Sequence, residues 1–307
     1  MITLYPQPVL RNFRTINTQS FARRKKSEPL MTQAQVRAEA SRITAGGLSA
    51  KAWRILDLLA TGGILPSNHL PELTDRSMRN LCEMRVFERI AQEPSELEEH
   101  HVAQLGVKGM GRYLYMLGPV GMEIAATRHG VVPVNGYQAF TTAHILHDVM
   151  ANEVVFRLAE LLASRGWAVE WIGRAECRLV DNKGTVLLKP DALIRIRKNG
   201  PGGGDATFLL QYHNEDWSTH GTLMVERYEQ AFSDSNWQEC WEVESFPPVL
   251  VVFERPIVGA GYQAATKGSR KLNCLFYGKT LAAALDGKLD EWVNISGGMK
   301  KEQIFPK

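Results

Sequence analysis

Apolar residues recur at helical spacing over Ala50–Ala60 (AKAWRILDLLA), where Trp53, Ile55, Leu56, Leu58 and Leu59 mark one face and Gly62-Gly63 ends the run. A short segment opened by Pro66 leads into LTDRSMRNLCEMRVFERI. There Thr74 or Asp75 suits an N-cap, because a short oxygen-bearing side chain satisfies a first-turn amide. The helix that follows turns Met78, Leu81 and Cys82 inward and leaves Arg76, Ser77, Arg79 and Asn80 outward. Val86–Ile90 and Arg112–Leu117 read as short strands on either side of the Glu-rich stretch Glu93–His101, and Gly118–Ala126 starts a closing helix.

Helix, short helix, helix, two-stranded wing and closing helix make residues 49–130 a predicted winged helix-turn-helix. Residues 131–145 carry the Pro, Gly and polar content of a linker, and residues 146–307 form a second domain. Its first helix runs from His144 to Ser164, with Leu146, Val149, Val154, Val155, Leu158 and Leu161 on its apolar stripe. Strands are expected at Trp167–Ile172, Leu187–Ile196 and Ala206–His213, with a turn at Asn199–Gly204. A helix follows at Gly221–Phe232, a buried strand at Pro248–Glu254, and a further helical stretch at Lys271–Ala284 with a strand inside or before it. The order αβββαβ is mixed α+β, and it excludes a doubly wound dinucleotide fold and a barrel.

Length and composition agree with two domains: 307 residues, 44% hydrophobic and 22% charged. No run of 18 apolar residues occurs, so no membrane partner is expected, and the N-terminus lacks the apolar core of a secretory signal. The four cysteines (Cys82, Cys177, Cys240, Cys274) are scattered, which suits reduced thiols in a cytoplasmic protein and opposes a zinc module. Charge changes the picture more. Residues 1–48 hold eight Lys/Arg, Arg23, Arg24, Lys25 and Lys26 among them, against Glu28 and Glu39, while the whole chain carries only +3. A basic, flexible arm on a slightly acidic body suits double-stranded DNA, since cations near phosphates release condensed counterions; a solvated tail is the plain alternative.

In such a module the third helix enters the major groove. Arg76 and Arg79 are suited to guanine, Asn80 to adenine and Ser77 to either, while Arg85 and Arg89 at the wing are placed for phosphate. Winged helices also dock proteins, so an adaptor in a DNA-processing or defence complex is the competing class. His144, His147 and Asp148 share one face of a helix, where they suit either a transition metal or a polar helix start. The glycine-rich turn has no following Lys-Ser/Thr and is not a P-loop. Trp217, Trp237 and Trp241 suit base stacking or, more ordinarily, a core.

Pro190-Asp191 within a strand, followed by a strand, a helix and a strand, resembles the PD-(D/E)xK nuclease fold. That resemblance implies a carboxylate on the second strand, a Glu on the third that shares a divalent metal with it, and a Lys two residues later. Hard carboxylate oxygens hold Mg²⁺ or Mn²⁺, and the metal stabilises charge on phosphate oxygens. Asp191 takes the first position and the metal, Gln211 stands at the Glu position, His213 at the Lys position, and Glu153 supplies an extra acidic group. Glu215 and Asp216 are substitutes if the strand runs further.

Over roughly residues 50–256 the chain resembles the replication-relaxation family of plasmid and mobile-element proteins. The resemblance rests on Tyr113–Gly118, His144-Ile-Leu-His147-Asp148, Leu188-Lys-Pro-Asp-Ala192, Gln211-Tyr-His-Asn-Glu-Asp-Trp-Ser-Thr219 and Glu226-Arg-Tyr-Glu229. It implies a winged helix joined to a nuclease-like domain, with roles in plasmid replication, DNA relaxation, transfer or regulation. The family usually has an acidic residue where Gln211 and His213 stand, and a Lys before the tyrosine matching Tyr228, where this chain has Met224 and Val225. The expected function is therefore DNA binding, with the nuclease-like domain as a platform for DNA or a partner. An active Mg-dependent endonuclease or nickase is the alternative.

Overall fold

The computed structural model describes residues 2–3, 31–91, 113–130, 142–181, 183–198, 206–268 and 272–305. The fold is mixed α+β and divides into two compact units, residues 6–149 and residues 1–5 with 150–307. The expected basic run Arg23–Lys26, the Glu-rich stretch, the Asn199–Gly204 turn and most of the expected linker lie outside the described residues.

In the first unit, α1 (Gln33–Gly46) lies inside the segment expected as an arm. Thr32 and Gln35 cap it reciprocally, and Gln33 and Arg37 reach Glu123 at 3.0 and 3.4 Å. Helix α2 (Ala50–Gly62) is capped by Ser49 and buries Ile55 and Leu56 with Leu59 one turn on, all on one side. After β2 (Ile64–Pro66) and a 3-10 turn comes α3 (Asp75–Glu83). Thr74 accepts the Ser77 amide there, so of the two candidate caps Thr74 is the observed one and Asp75 is the first helical residue. Strands β3 (Phe87–Ala91) and β4 (Tyr113–Leu117) pair antiparallel in a small sheet of order β2-β4-β3, and α4 (Pro119–His129) closes the unit. Buried His129 and exposed Arg128 both bind Asp57 of α2, which ties the closing helix to the first apolar helix.

The boundary between the units falls inside α5 (Thr142–Ser164), which begins within the expected linker. The second unit is built on a mixed sheet of order β1 (Ile2–Thr3), β5 (Trp167–Gly173), β8 (Ala192–Lys198), β9 (Ala206–His213), β10 (Val249–Phe253), β11 (Phe276–Thr280), β12 (Glu291–Asn294), β13 (Lys300–Gln303). Its centre is an antiparallel meander of β5 (Trp167–Gly173), β8 (Ala192–Lys198) and β9 (Ala206–His213). Helix α6 (Ser218–Asp234) then crosses over, and β10 (Val249–Phe253) joins parallel to β9. Strand β10 is buried at every position, as its uninterrupted VLVVF run requires. At the far edge β1 (Ile2–Thr3) pairs parallel with β5, so the chain start belongs to this sheet.

Three expectations need correction. Leu187–Ile196 is not one strand: it divides into β7 (Val186–Leu188), which pairs with β6 (Leu179–Val180), and β8. Pro190 has no amide to give a ladder, and the Asp191 amide starts the β9 pairing at Leu210 O, 2.8 Å away. Lys271–Ala284 does hold the expected strand, β11 (Phe276–Thr280), but its helical part is only the start of the short α9 (Leu281–Leu285); the long helix of this region lies earlier, at α8 (Pro256–Gly268). The hairpin of β12 (Glu291–Asn294) and β13 (Lys300–Gln303) and the short α7 (Trp237–Trp241) had no counterpart in the expected order.

Trp237 and Trp241 lie in the core between sheet and helices with Tyr228, Tyr262 and Phe276, so they are not free to stack on bases. Trp217 is 69% exposed. No described helix is long and apolar enough to cross a membrane, and the four cysteines are free.

Candidate functional site

The polar groups of the second unit converge where β8 begins and β9 ends. Asp191 is only 6% exposed, so its charge must be met by protein donors. Its Oδ2 accepts the Tyr212 amide at 2.8 Å and Gln211 Nε2 at 3.3 Å, and Arg174 Nε stands 3.7 Å from Oδ1. The Gln211 amide oxygen accepts the Tyr228 hydroxyl of α6 at 3.2 Å. The result is a directional chain, Tyr228 to Gln211 to Asp191. Burial pushes the Tyr228 phenol well above its ordinary range, and the charge of Asp191 adds to the effect, so Tyr228 stays a donor. Tyr212 is raised in the same way by burial and by Glu254, which its hydroxyl meets at 2.7 Å.

This arrangement is a hydrogen-bond lock. A Mg²⁺ ion needs oxygens turned toward a common point. Here the atom that Gln211 presents to Asp191 is an amide donor, and its oxygen is turned to Tyr228.

The other two residues of the expected catalytic set have different company. Glu153, on α5, is buried and holds Arg157 at 2.8 Å, while Arg157 also donates to Leu285 O. His213 shares the strand face of Gln211, since side chains alternate, and is 1% exposed. Its Nε2 meets the Tyr262 hydroxyl of α8 at 2.8 Å, and its Nδ1 meets Glu215 Oε2 at 3.2 Å. His220, in the first turn of α6, stands 3.6 Å from the other Glu215 oxygen. Glu215 was visible in the sequence as a substitute carboxylate; His220 and Tyr262 were not singled out. The spacing His213-x-Glu215-x₄-His220, a strand end running into a helix start, was the available signal.

Two glycines bring these residues together. A Cβ on Gly261 of α8 would lie 1.9 Å from Ser218 O, and one on Gly221 of α6 would lie 2.6 Å from the Tyr262 amide nitrogen. The two helices therefore touch backbone to backbone, which sets Tyr262 over His213 and His220 beside it. Burial acts to raise the Glu215 carboxyl, but the His213 hydrogen bond and charge, with help from His220, outweigh it and hold the group down at about 2.

In the first unit, Arg76, Ser77, Arg79 and Asn80 are all exposed on α3, and Ser77 Oγ stands 2.8 Å from Thr74 Oγ1 of the cap. Arg89 is exposed as well. Arg85 departs from its expected role at phosphate. Its side chain is 17% exposed and bound to Glu88, and its carbonyl accepts the Val120 amide at the start of α4. The His147–Asp148 pair is closed by a 3.0 Å hydrogen bond, and His144 is exposed. Compared with protein-family models, with curated proteins and with solved structures, the chain finds no match.

Proposed function

We propose that this chain is a DNA-binding protein of the plasmid or mobile-element kind, akin to the replication-relaxation family. Its first unit is read as a winged helix that offers α3 to the major groove. Its second is read as a nuclease-like platform without metal-dependent cleavage. The observation that carries the reading is the outer side of α3: four side chains suited to base edges, Arg76, Ser77, Arg79 and Asn80, all exposed on a helix whose start is fixed by Thr74. The order α5-β5-β8-β9-α6-β10, with β10 parallel to β9, supports the nuclease-like reading of the second unit. The Asp191–Gln211 lock favours a platform over an endonuclease, because it puts a donor where a second metal-binding carboxylate belongs.

The test is a gel shift of the full chain on duplex DNA at low and rising salt. Binding is expected to weaken steeply with salt and to lose sequence preference in Arg76→Ala and Arg79→Ala, each by about 1–3 kcal/mol. Supercoiled plasmid with Mg²⁺ or Mn²⁺ should stay intact. No retardation at low ionic strength would defeat the proposal, and nicking abolished by Asp191→Ala would replace the platform with an active endonuclease.

A further inference from the structure

We propose that His213, Glu215 and His220 hold a divalent transition-metal ion of the zinc class. The site uses none of the α3 side chains and neither Asp191 nor Gln211, and the proposal stands whether or not the chain binds DNA. One donor atom from each residue lies within 4.8 Å of the others, and the Glu215 oxygens are 3.2 and 3.6 Å from His213 Nδ1 and His220 Nε2. Ligands about 2.0–2.1 Å from a tetrahedral zinc ion stand roughly 3.3 Å apart; each histidine already has that spacing to one Glu215 oxygen, and the set as a whole lies within 4.8 Å. Two imidazoles with one carboxylate is a donor set for zinc and its neighbours. Mg²⁺ prefers oxygen alone.

The surroundings add what a ligating histidine needs. Tyr262 sits on the Nε2 side of His213 at 2.8 Å, which leaves Nδ1 aimed at Glu215. Metal binding would place the ring proton on Nε2, where the Tyr262 oxygen accepts it, and free the Nδ1 lone pair for the ion. The glycine crossing of α6 and α8 makes this partner rigid, because Gly221 packs on the Tyr262 backbone itself. His213 is buried, whereas the side chains of Glu215 and His220 are each 34% exposed, so the site has a rigid inner wall and an entry from solvent.

The experiment uses the full chain stripped with chelator and titrated with Zn²⁺ by calorimetry and with Co²⁺ by absorption. One ion per chain is expected. Co²⁺ should give a d–d band that Zn²⁺ abolishes and Mg²⁺ leaves unchanged. His220→Gln and Glu215→Gln alter partly exposed side chains, and circular dichroism of both should match the wild type. Each is expected to weaken Zn²⁺ binding at least about tenfold, and Tyr262→Phe to weaken it about 10–100-fold without changing the stoichiometry. The proposal is overturned if the wild type shows no saturable Zn²⁺ binding, or if both His220→Gln and Glu215→Gln bind as the wild type does.

Discussion

At the scale of single residues, Asp191 and Glu215 are carboxylates in opposite situations. Asp191 is buried among donors, so it belongs to the architecture: its Oδ2 is the acceptor for a main-chain amide and for Gln211. In an acidic metal site the carboxylates repel one another in the metal-free protein, and Asp→Asn is then neutral or stabilising. Here Asp191→Asn turns a buried acceptor into a group that must also donate, and a loss of about 1–3 kcal/mol is expected in urea denaturation. A variant as stable as the wild type would contradict the lock. Glu215 is the pH-dependent one. Its folded-state value of about 2 lies below the ordinary 4.5. Its contribution to stability is therefore complete above the unfolded value and fades as pH falls toward the folded one. The Tm difference between wild type and Glu215→Gln, measured without metal, should close steadily as pH falls below about 5. A difference that persists unchanged at pH 2 would show that the carboxylate is not the group responsible.

Among the elements, the crossing of α6 and α8 does most to shape the site, and it was the least legible in the sequence. The segment PIVGAGYQAATKG begins with Pro and carries Gly259 and Gly261, residues that weaken a helix in isolation. Those glycines are what the packing requires, since Gly259 faces the Phe253 ring and Gly261 meets Ser218 O. Local propensity and tertiary packing point in opposite directions there, and packing decides. Gly261→Ala, a change that favours an isolated helix, should instead cost about 1–3 kcal/mol in thermal or urea unfolding, because a backbone carbonyl must move aside. A more stable variant would mean the helices are not locked together. Where pattern and packing agree, the elements were readable: α2 by its apolar face, α3 by its Thr74 cap, β10 by its unbroken apolar run. The hairpin β12–β13 was not, since an edge strand reading KKEQ is charged at nearly every position and has no apolar alternation to find. The candidate site followed the same division. Gln211 and His213 stood in a strand that the pattern located, with Asp191 just ahead of β8, whereas Tyr262 came from the helix that it missed.

For the molecule as a whole, the distribution of charge limits how it can meet a polyanion. A net charge of +3 over 307 residues gives little general attraction, and the excess of base lies before residue 48. Part of that excess is already neutralised, because Arg37 pairs with Glu123 and Arg42 with Glu39. On the proposed DNA-binding reading, Arg23, Arg24, Lys25 and Lys26 are the concentrated positive charge that would meet phosphate, while the α3 side chains would supply selectivity. The two contributions separate by salt. Each phosphate neutralised adds about 0.9 to the slope of log affinity against log salt, and base-edge contacts add little. Replacing all four basic residues by Ala should therefore flatten the slope by about 3 to 4 while leaving the preferred sequence unchanged. Arg76→Ala with Arg79→Ala should do the reverse, blurring the preference with little change of slope. If the fourfold variant keeps the wild-type slope, those cations make no phosphate contacts, and duplex affinity has to be sought on the α3 unit alone.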